Sequence, residues 1–227
     1  MKQIIVFFAL AFLLTSVNGI GQNVSETSFT LGINKAQSAS IENYYNLYSS
    51  PPLFLNVGLS HSWYQTNKRV TFNKEIGMNL QYSNFDIGSG GLGGQNYDQW
   101  KVLNWCTEAT FQAQFRLDSL LSVGFGPAAE CLIMGYNELR GSYYRMFNPP
   151  ISGKYSHSGI NRDLFNDLLW GVRFSILNSG VGKRATVRVN ISYLWMKENH
   201  SNFYSSGLVK VGIAVGFNHK KVKTKTA

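Results

Sequence analysis

Apolar and polar residues alternate with a period of two over eight stretches of this chain. The clearest is Val187, Val189, Ile191, Tyr193 and Trp195, interleaved with Arg188, Asn190, Ser192 and Leu194. A period of two places each set on one face of an extended strand. The spacing predicts strands over about 28–35, 52–65, 69–84, 100–117, 120–136, 164–177, 187–196 and 206–218. A soluble β-protein turns its apolar face inward over a large core. Here the second face repeats Gly, Ser, Asn, Gln and Thr with a few opposed charges, which suits the packed polar interior of a narrow barrel. The inversion predicts an all-β, eight-stranded, antiparallel up-and-down transmembrane β-barrel.

The connections alternate in length. Those around Thr66-Asn67 and Asp118-Ser119 and across 178–184 are short. Those across 36–51, 85–99, 137–163 and 197–205 are longer. Outer-membrane barrels have short periplasmic turns and long external loops, so both termini are expected on the periplasmic side. On the outward faces this places Tyr82, Trp105, Trp170, Tyr193 and Trp195 near the outer rim. Phe29, Trp63, Phe72, Phe115 and Phe217 fall near the inner rim, with mostly Val, Ile, Leu and Ala between. Two aromatic girdles around an aliphatic belt match the preference of amphipathic rings for membrane interfaces.

The N-terminus adds a compartment. Lys2 precedes an uninterrupted apolar run from Ile4 to Leu14, and Val17 and Gly19 suit the −3 and −1 positions of a signal-peptidase site. Eleven apolar residues are too few to span a bilayer as a helix, so 1–19 is expected to be a cleaved signal peptide. The barrel then takes 20–218 and a basic periplasmic tail takes 219–227. No other apolar segment reaches the ~20 residues of a membrane helix. The composition agrees with a barrel: Gly 22, Tyr 12, Phe 15 and Trp 5, with 15% charged residues and a formal net charge of +9. The lysines after His219 would meet anionic lipid headgroups or solvent, because export makes nucleic acid an improbable partner.

The secretion signal, the eight alternating strands, the segments Ser122-Val-Gly-Phe-Gly-Pro-Ala and Leu169-Trp-Gly-Val-Arg-Phe, and the final run from Gly207 to Phe217 carry a resemblance. The chain resembles the small outer membrane protein beta-barrel family, the OmpA/OmpX-like eight-stranded barrels of Gram-negative bacteria often grouped as porin family. The resemblance covers about 27–218 and is one of pattern rather than of a diagnostic motif. It implies a monomer in the outer membrane of the cell with lipid as its main surrounding. The family usually ends on an aromatic residue, whereas Phe217 is followed by ten residues ending in Ala227.

Parity turns Glu75, Glu108, Glu130, Arg116, Arg173, Arg188 and Lys210 into the lumen. A three-residue turn at Asp118-Ser119-Leu120 sets Leu117 opposite Leu121 and therefore Glu108 opposite Glu130. Two adjacent carboxylates repel or share a proton unless a cation lies between them, and Lys210 on the last strand is the candidate. Such a network could act as an ion-pair gate, but eight strands leave room only for side chains, so a structural polar core is the favoured reading. Parity places Cys106 inside and Cys131 outside, which forbids a disulfide unless Pro127 marks a bulge that resets the phase. That pairing stays open.

No Walker loop, zinc spacing or nucleophile elbow is present, so no catalytic, cofactor or metal site is expected. His61-Ser62, His157-Ser158 and His200-Ser201-Asn202 match only in part the His-x-Ser-Asn stretch of outer-membrane lipid A deacylases, and the last lacks the intervening residue. The expected role is structural, or surface interaction through the extracellular loops with a closed lumen. A narrow gated channel for small solutes is the first alternative and a lipid A-modifying enzyme the second. The longest loop, 137–163, holds Arg140, Tyr143, Tyr144, Arg145, Phe147 and Tyr155. Tyrosine and arginine are common hot-spot residues because they bury area and donate hydrogen bonds at modest entropic cost.

Overall fold

The structure, a computed structural model, describes residues 24–37, 46–49, 53–64, 69–91, 93–146, 149–160, 168–178, 185–195 and 207–219. The expected signal peptide, the basic tail, Phe147 and the segment 196–206 lie outside them. The described residues form ten strands: β1 (Val24–Gln37), β2 (Asn46–Ser49), β3 (Leu53–Tyr64), β4 (Val70–Gly91), β5 (Gly94–Arg116), β6 (Leu121–Arg145), β7 (Ile151–Ile160), β8 (Leu168–Asn178), β9 (Ala185–Trp195) and β10 (Gly207–His219). Eight close into a ring in the order β1-β3-β4-β5-β6-β8-β9-β10, with β10 returning to β1 and every pairing antiparallel. The chain is an eight-stranded up-and-down barrel.

The two faces of the wall follow the sequence pattern. Leu31, Leu55, Leu59, Met78, Leu80, Ile191 and Ile213 stand exposed on the outside, while Ser28, Asn73, Gln81, Gln112, Thr186 and Ser192 are buried inside. In water this would leave a large apolar surface uncovered; in a bilayer it is the lipid-facing belt, and the closed ring leaves no ladder edge within it.

Local chemistry sets the register of β5 against β6. Asp118 Oδ1 accepts the N–H groups of Leu120 at 2.6 Å and Leu121 at 2.8 Å, and Leu117 N–H donates to Leu121 O at 2.9 Å. These two backbone donors hold the Asp118 carboxyl below its ordinary range. The three-residue turn therefore forms as expected from the sequence. Pro127 does interrupt the β5–β6 ladder, since Phe111 and Gln112 lack partners opposite Pro127 and Gly126, but the register is the same on either side. The shift comes higher up, where Trp105 faces Met134 and Cys106 faces Leu132, leaving Ile133 as the extra residue. A missing N–H removes one bond without adding a residue, so proline alone does not change the phase.

Three strands run well beyond the predicted ends. Residues 85–99 and 137–163 read as loops, yet β4 extends to Gly91, β5 starts at Gly94, β6 extends to Arg145, and β7 folds back onto it. With β2 along the upper edge of β4, these pieces make a five-stranded sheet, β2-β4-β5-β6-β7, rising above the barrel mouth. The β4–β5 hairpin closes at Gly94, whose φ is +156° and whose position would bring a Cβ to 2.3 Å from Tyr144 O, so the turn requires glycine.

Candidate functional site: a charged lumen beneath an exposed sheet

Within the lumen, register brings the charged residues together. Glu108 and Glu130 are direct cross-strand partners. Lys210 Nζ lies between them, donating to Glu108 Oε2 at 2.6 Å and to Glu130 Oε2. Arg173 donates to Glu108 Oε1 and approaches Glu75 Oε1 at 3.4 Å, while Arg188 donates to Glu75 Oε2. Gln81 Nε2 supplies a further bond to Glu130 Oε1 at 2.8 Å. All these charged side chains are at most 12% exposed.

Two assignments from the sequence change. Arg116 has the inward parity but lies at the end of β5, where it is exposed. Its guanidinium donates to the carbonyls of Asp118 at 2.8 Å and Ser119 at 3.1 Å, so it caps the turn and does not join the network. Glu26 takes a place that the sequence reading missed, because the predicted first strand begins at position 28. Its carboxylate accepts from Arg188 at 3.1 Å, Ser28 Oγ at 2.8 Å and Thr186 Oγ1 at 2.7 Å. An earlier strand start would have put Glu26 on the same inward face as Ser28. Among the described residues the network thus holds four carboxylates (Glu26, Glu75, Glu108, Glu130) against three cations (Arg173, Arg188, Lys210), a formal excess of one negative charge.

Above the charges the lumen turns apolar. Ala128, Leu169, Leu194 and Leu208 form a buried cluster, with Phe85 from β4 packed against it. Below this plug a cavity of about 40 Å³ is lined by Glu75, Glu108, Arg173 and Lys210 among others. That exceeds the ~10–15 Å³ that a single water needs, so the cavity can hold water among the ion pairs. Ion pairs and this apolar cluster thus occupy the lumen in succession.

The cysteines keep opposite faces. Cys106 lies inside opposite Leu132. Cys131 lies outside opposite Thr107, packed near Ala109. They are not bonded to each other, since the register shift at Ile133 comes after Cys131 and cannot swing it round. The histidine–serine pairs split likewise. His61 faces outward with Nδ1 3.0 Å from Thr27 Oγ1, whereas the neighbouring Ser62 faces inward and accepts from Arg188 at 3.4 Å. His157 and Ser158 are successive residues of β7 and also point to opposite sides of the sheet. His200-Ser201-Asn202 is outside the described residues.

The outward aromatics occupy both ends of the belt. Tyr82, Trp105, Trp170 and Trp195 are exposed toward the mouth, as are Phe29, Phe72, Phe115 and Phe217 toward the other end. Trp195 packs on Trp170, with ring centres 4.9 Å apart, and meets Tyr193 edge-on at 5.4 Å; Trp63 contacts the His61 ring at 4.5 Å.

The residues proposed for recognition sit on the raised sheet and divide between its faces. Tyr143, Arg145 and Tyr155 share the face that continues the lumen wall. Arg140 and Tyr144 share the face that continues the lipid-facing wall. On the first face Tyr155 lies across Gly141, where a Cβ would come within 2.2 Å of the ring, and its hydroxyl donates to Asp98. That bond raises the Tyr155 pKa to about 12. On the second face Arg140 pairs with Glu138 at 2.6 Å.

No protein-family model matches the chain, and no curated protein matches it. Among solved structures, the attachment invasion locus protein Ail of Yersinia pestis superposes with a TM-score of 0.44 at 10% identity, covering 88% of this chain and 100% of Ail. Neisserial surface protein A gives 0.38 at 10% identity, covering 87% of this chain and 97% of that one. A deletion mutant of the TodX monoaromatic hydrocarbon channel gives 0.28 at 6% identity, covering 89% and 91%. The eight-stranded ring of the present chain is established by its own strand pairings.

Proposed function

We propose that this protein is a monomeric integral barrel of the outer membrane that keeps its lumen closed and acts at the cell surface through the sheet above its mouth. The observation that carries this reading is the contrast between the two parts. An apolar cluster packs over ion pairs inside the lumen, while the raised sheet exposes Tyr97, Tyr144 and Tyr155. Polar strands without a lipid belt to cover need another reason to project from a barrel, and binding residues concentrate on such projections. The two aromatic girdles and the short turn at 118–120 support an orientation with the sheet outside and that turn in the periplasm.

Accessibility of single cysteines in a Cys106→Ser/Cys131→Ser background tests this reading in intact cells. A membrane-impermeant maleimide is expected to label Ser156→Cys on β7 and to leave Ser119→Cys at the turn unlabelled. Labelling of Ser119→Cys alone would reverse the orientation, and recovery of both in the soluble fraction would remove the membrane assignment. A protein with both hairpins cut back, joining 84 to 101 and 138 to 158 through two-residue turns, tests the surface role. Cells carrying it should lose the binding that wild-type cells show on protein and glycan arrays; an unchanged profile would confine the role to the barrel.

A further inference from the structure

The outer face of the raised sheet carries a groove that the sequence reading did not single out. We propose that it binds the sugar chain of the glycolipid in the surrounding outer leaflet, a deeper version of the surface role and resting on it. Cross-strand register builds the groove from two successive rows. Gly88, Tyr97, Ser142 and Lys154 form one; Gly90, Gln95, Tyr144 and Ser152 form the next. With Asn96, Tyr143 and Gly153 of the row between them, they line a cavity of about 550 Å³, within the range of small-molecule sites.

The chemistry of the lining fits a saccharide. Tyr97 and Tyr144 are 50% and 41% exposed, so each offers a ring face to the C–H side of a sugar. The Tyr97 hydroxyl donates to Asp86, which raises its pKa and fixes the ring. Gln95, Ser142 and Ser152 supply donors and acceptors for hydroxyl groups, and Lys154 supplies one cation for an acidic sugar or a phosphate. Gly88 and Gly90 of β4 line the groove beside the rings without side chains of their own.

Height selects the source of the sugar. Tyr82, Leu103, Tyr136 and Ile160 form the last apolar row of the lipid-facing wall. The groove begins six residues above Tyr82 on β4, about 20 Å along a strand and about 15 Å in height at the usual ~40° tilt. The headgroup region of a simple bilayer is only about 5–8 Å deep on each side. The groove therefore stands above the phosphate level, facing sideways into the layer where glycolipid sugars extend, and two polar rows containing Lys101, Glu138, Arg140 and Asp86 lie between.

Calorimetric titration of the folded full chain in detergent micelles with delipidated core oligosaccharide from rough-type lipopolysaccharide tests this assignment. Saturable binding is expected, weakened about tenfold by Tyr97→Ala and by Tyr144→Ala. Gly90→Val should weaken it similarly without harming the fold, because among the described residues a Cβ at Gly90 meets Gln95 Cγ alone, at an ordinary 3.6 Å. Tyr155→Phe, on the opposite face, should leave it unchanged. Absence of binding at millimolar oligosaccharide, or equal affinity in the Tyr97→Ala/Tyr144→Ala double variant, would overturn the proposal. If binding to arrays still depends on the hairpins in that case, only the sugar assignment falls and the surface role stands.

Discussion

Replacing Lys210 by Met keeps much of the side-chain volume and removes the one cation that touches both Glu108 and Glu130. Glu108 would retain Arg173, and Glu130 would retain Gln81 at 2.8 Å and Asn79 at 3.4 Å. Neither amide carries charge, so two adjacent carboxylates would share a single cation and the network would move from one excess negative charge to two. Breaking a buried pair by removing one partner costs about 3–5 kcal/mol. The reverse change, Glu130→Gln, removes the excess charge, and Lys210 still has Glu108. Its expected cost is below about 1 kcal/mol, with stabilisation permitted. Urea unfolding of barrels refolded into vesicles, read by the mobility difference between folded and unheated-unfolded species, separates the two. With an m value of roughly 3 kcal/mol per molar, Lys210→Met should lower the midpoint by about 1–2 M, and Glu130→Gln should barely move it. The double variant should recover part of the loss, because contacting residues couple. Equal midpoints for the two single variants would refute the bridging role of Lys210 and indicate that water screens the lumen at that height.

Three further outcomes follow from the same geometry. In planar bilayers the purified protein should give no stable single-channel steps, because Leu169, Leu194 and Leu208 close the lumen above the ion pairs; Leu194→Gly should be the variant that first admits leakage. With Cys106 and Cys131 on opposite faces and no disulfide between them, gel mobility should not depend on reductant, and Cys106 should react with maleimide only after unfolding. The Tyr155 hydroxyl, donated to Asp98 and pushed up to about 12, contributes to the order of the raised sheet below pH 10 and loses that contribution as pH rises from about 10 to 12. Ultraviolet titration should show a tyrosine ionising at about 12 that disappears in Tyr155→Phe and moves to an ordinary value in Asp98→Asn.

How far the sequence was legible depends on what each face of a strand touches. Where one face meets lipid and the other a packed lumen, composition must alternate, so the eight ring strands and the Glu108–Glu130 pairing can be read directly from parity and one turn. Above Tyr82 neither face meets hydrocarbon. Asn84, Asp86, Gly88 and Gly90 take the positions in the alternation that lipid-facing residues hold lower down, and Phe85 and Ile87 fall between them, so the pattern changes phase and the continuation of β4 reads as a break. Its signal was of another kind: the small residues around Leu92 that favour a hairpin, and the tyrosines of 143–155 that fill the space over Gly141 and Gly153. Parity also says nothing about where a strand stops, which is why Arg116 belongs to the lumen by its face and is found at the turn by its height.

The same distinction separates what is structural from what is available for binding. A charge inside the ring can be satisfied only by other parts of the ring, and Glu26, Glu75, Glu108 and Glu130 are each met by a cation from a strand distant in sequence. Those contacts tie β1, β4, β5 and β6 to β8, β9 and β10 across the lumen, which resists collapse or shear of a wall that lipid cannot order by itself. On the raised sheet the polar groups face solvent and need no such closure. Tyr97 and Tyr144 stay half exposed beside Gly88 and Gly90, an arrangement that contributes nothing to holding the barrel together and that a ligand can fill.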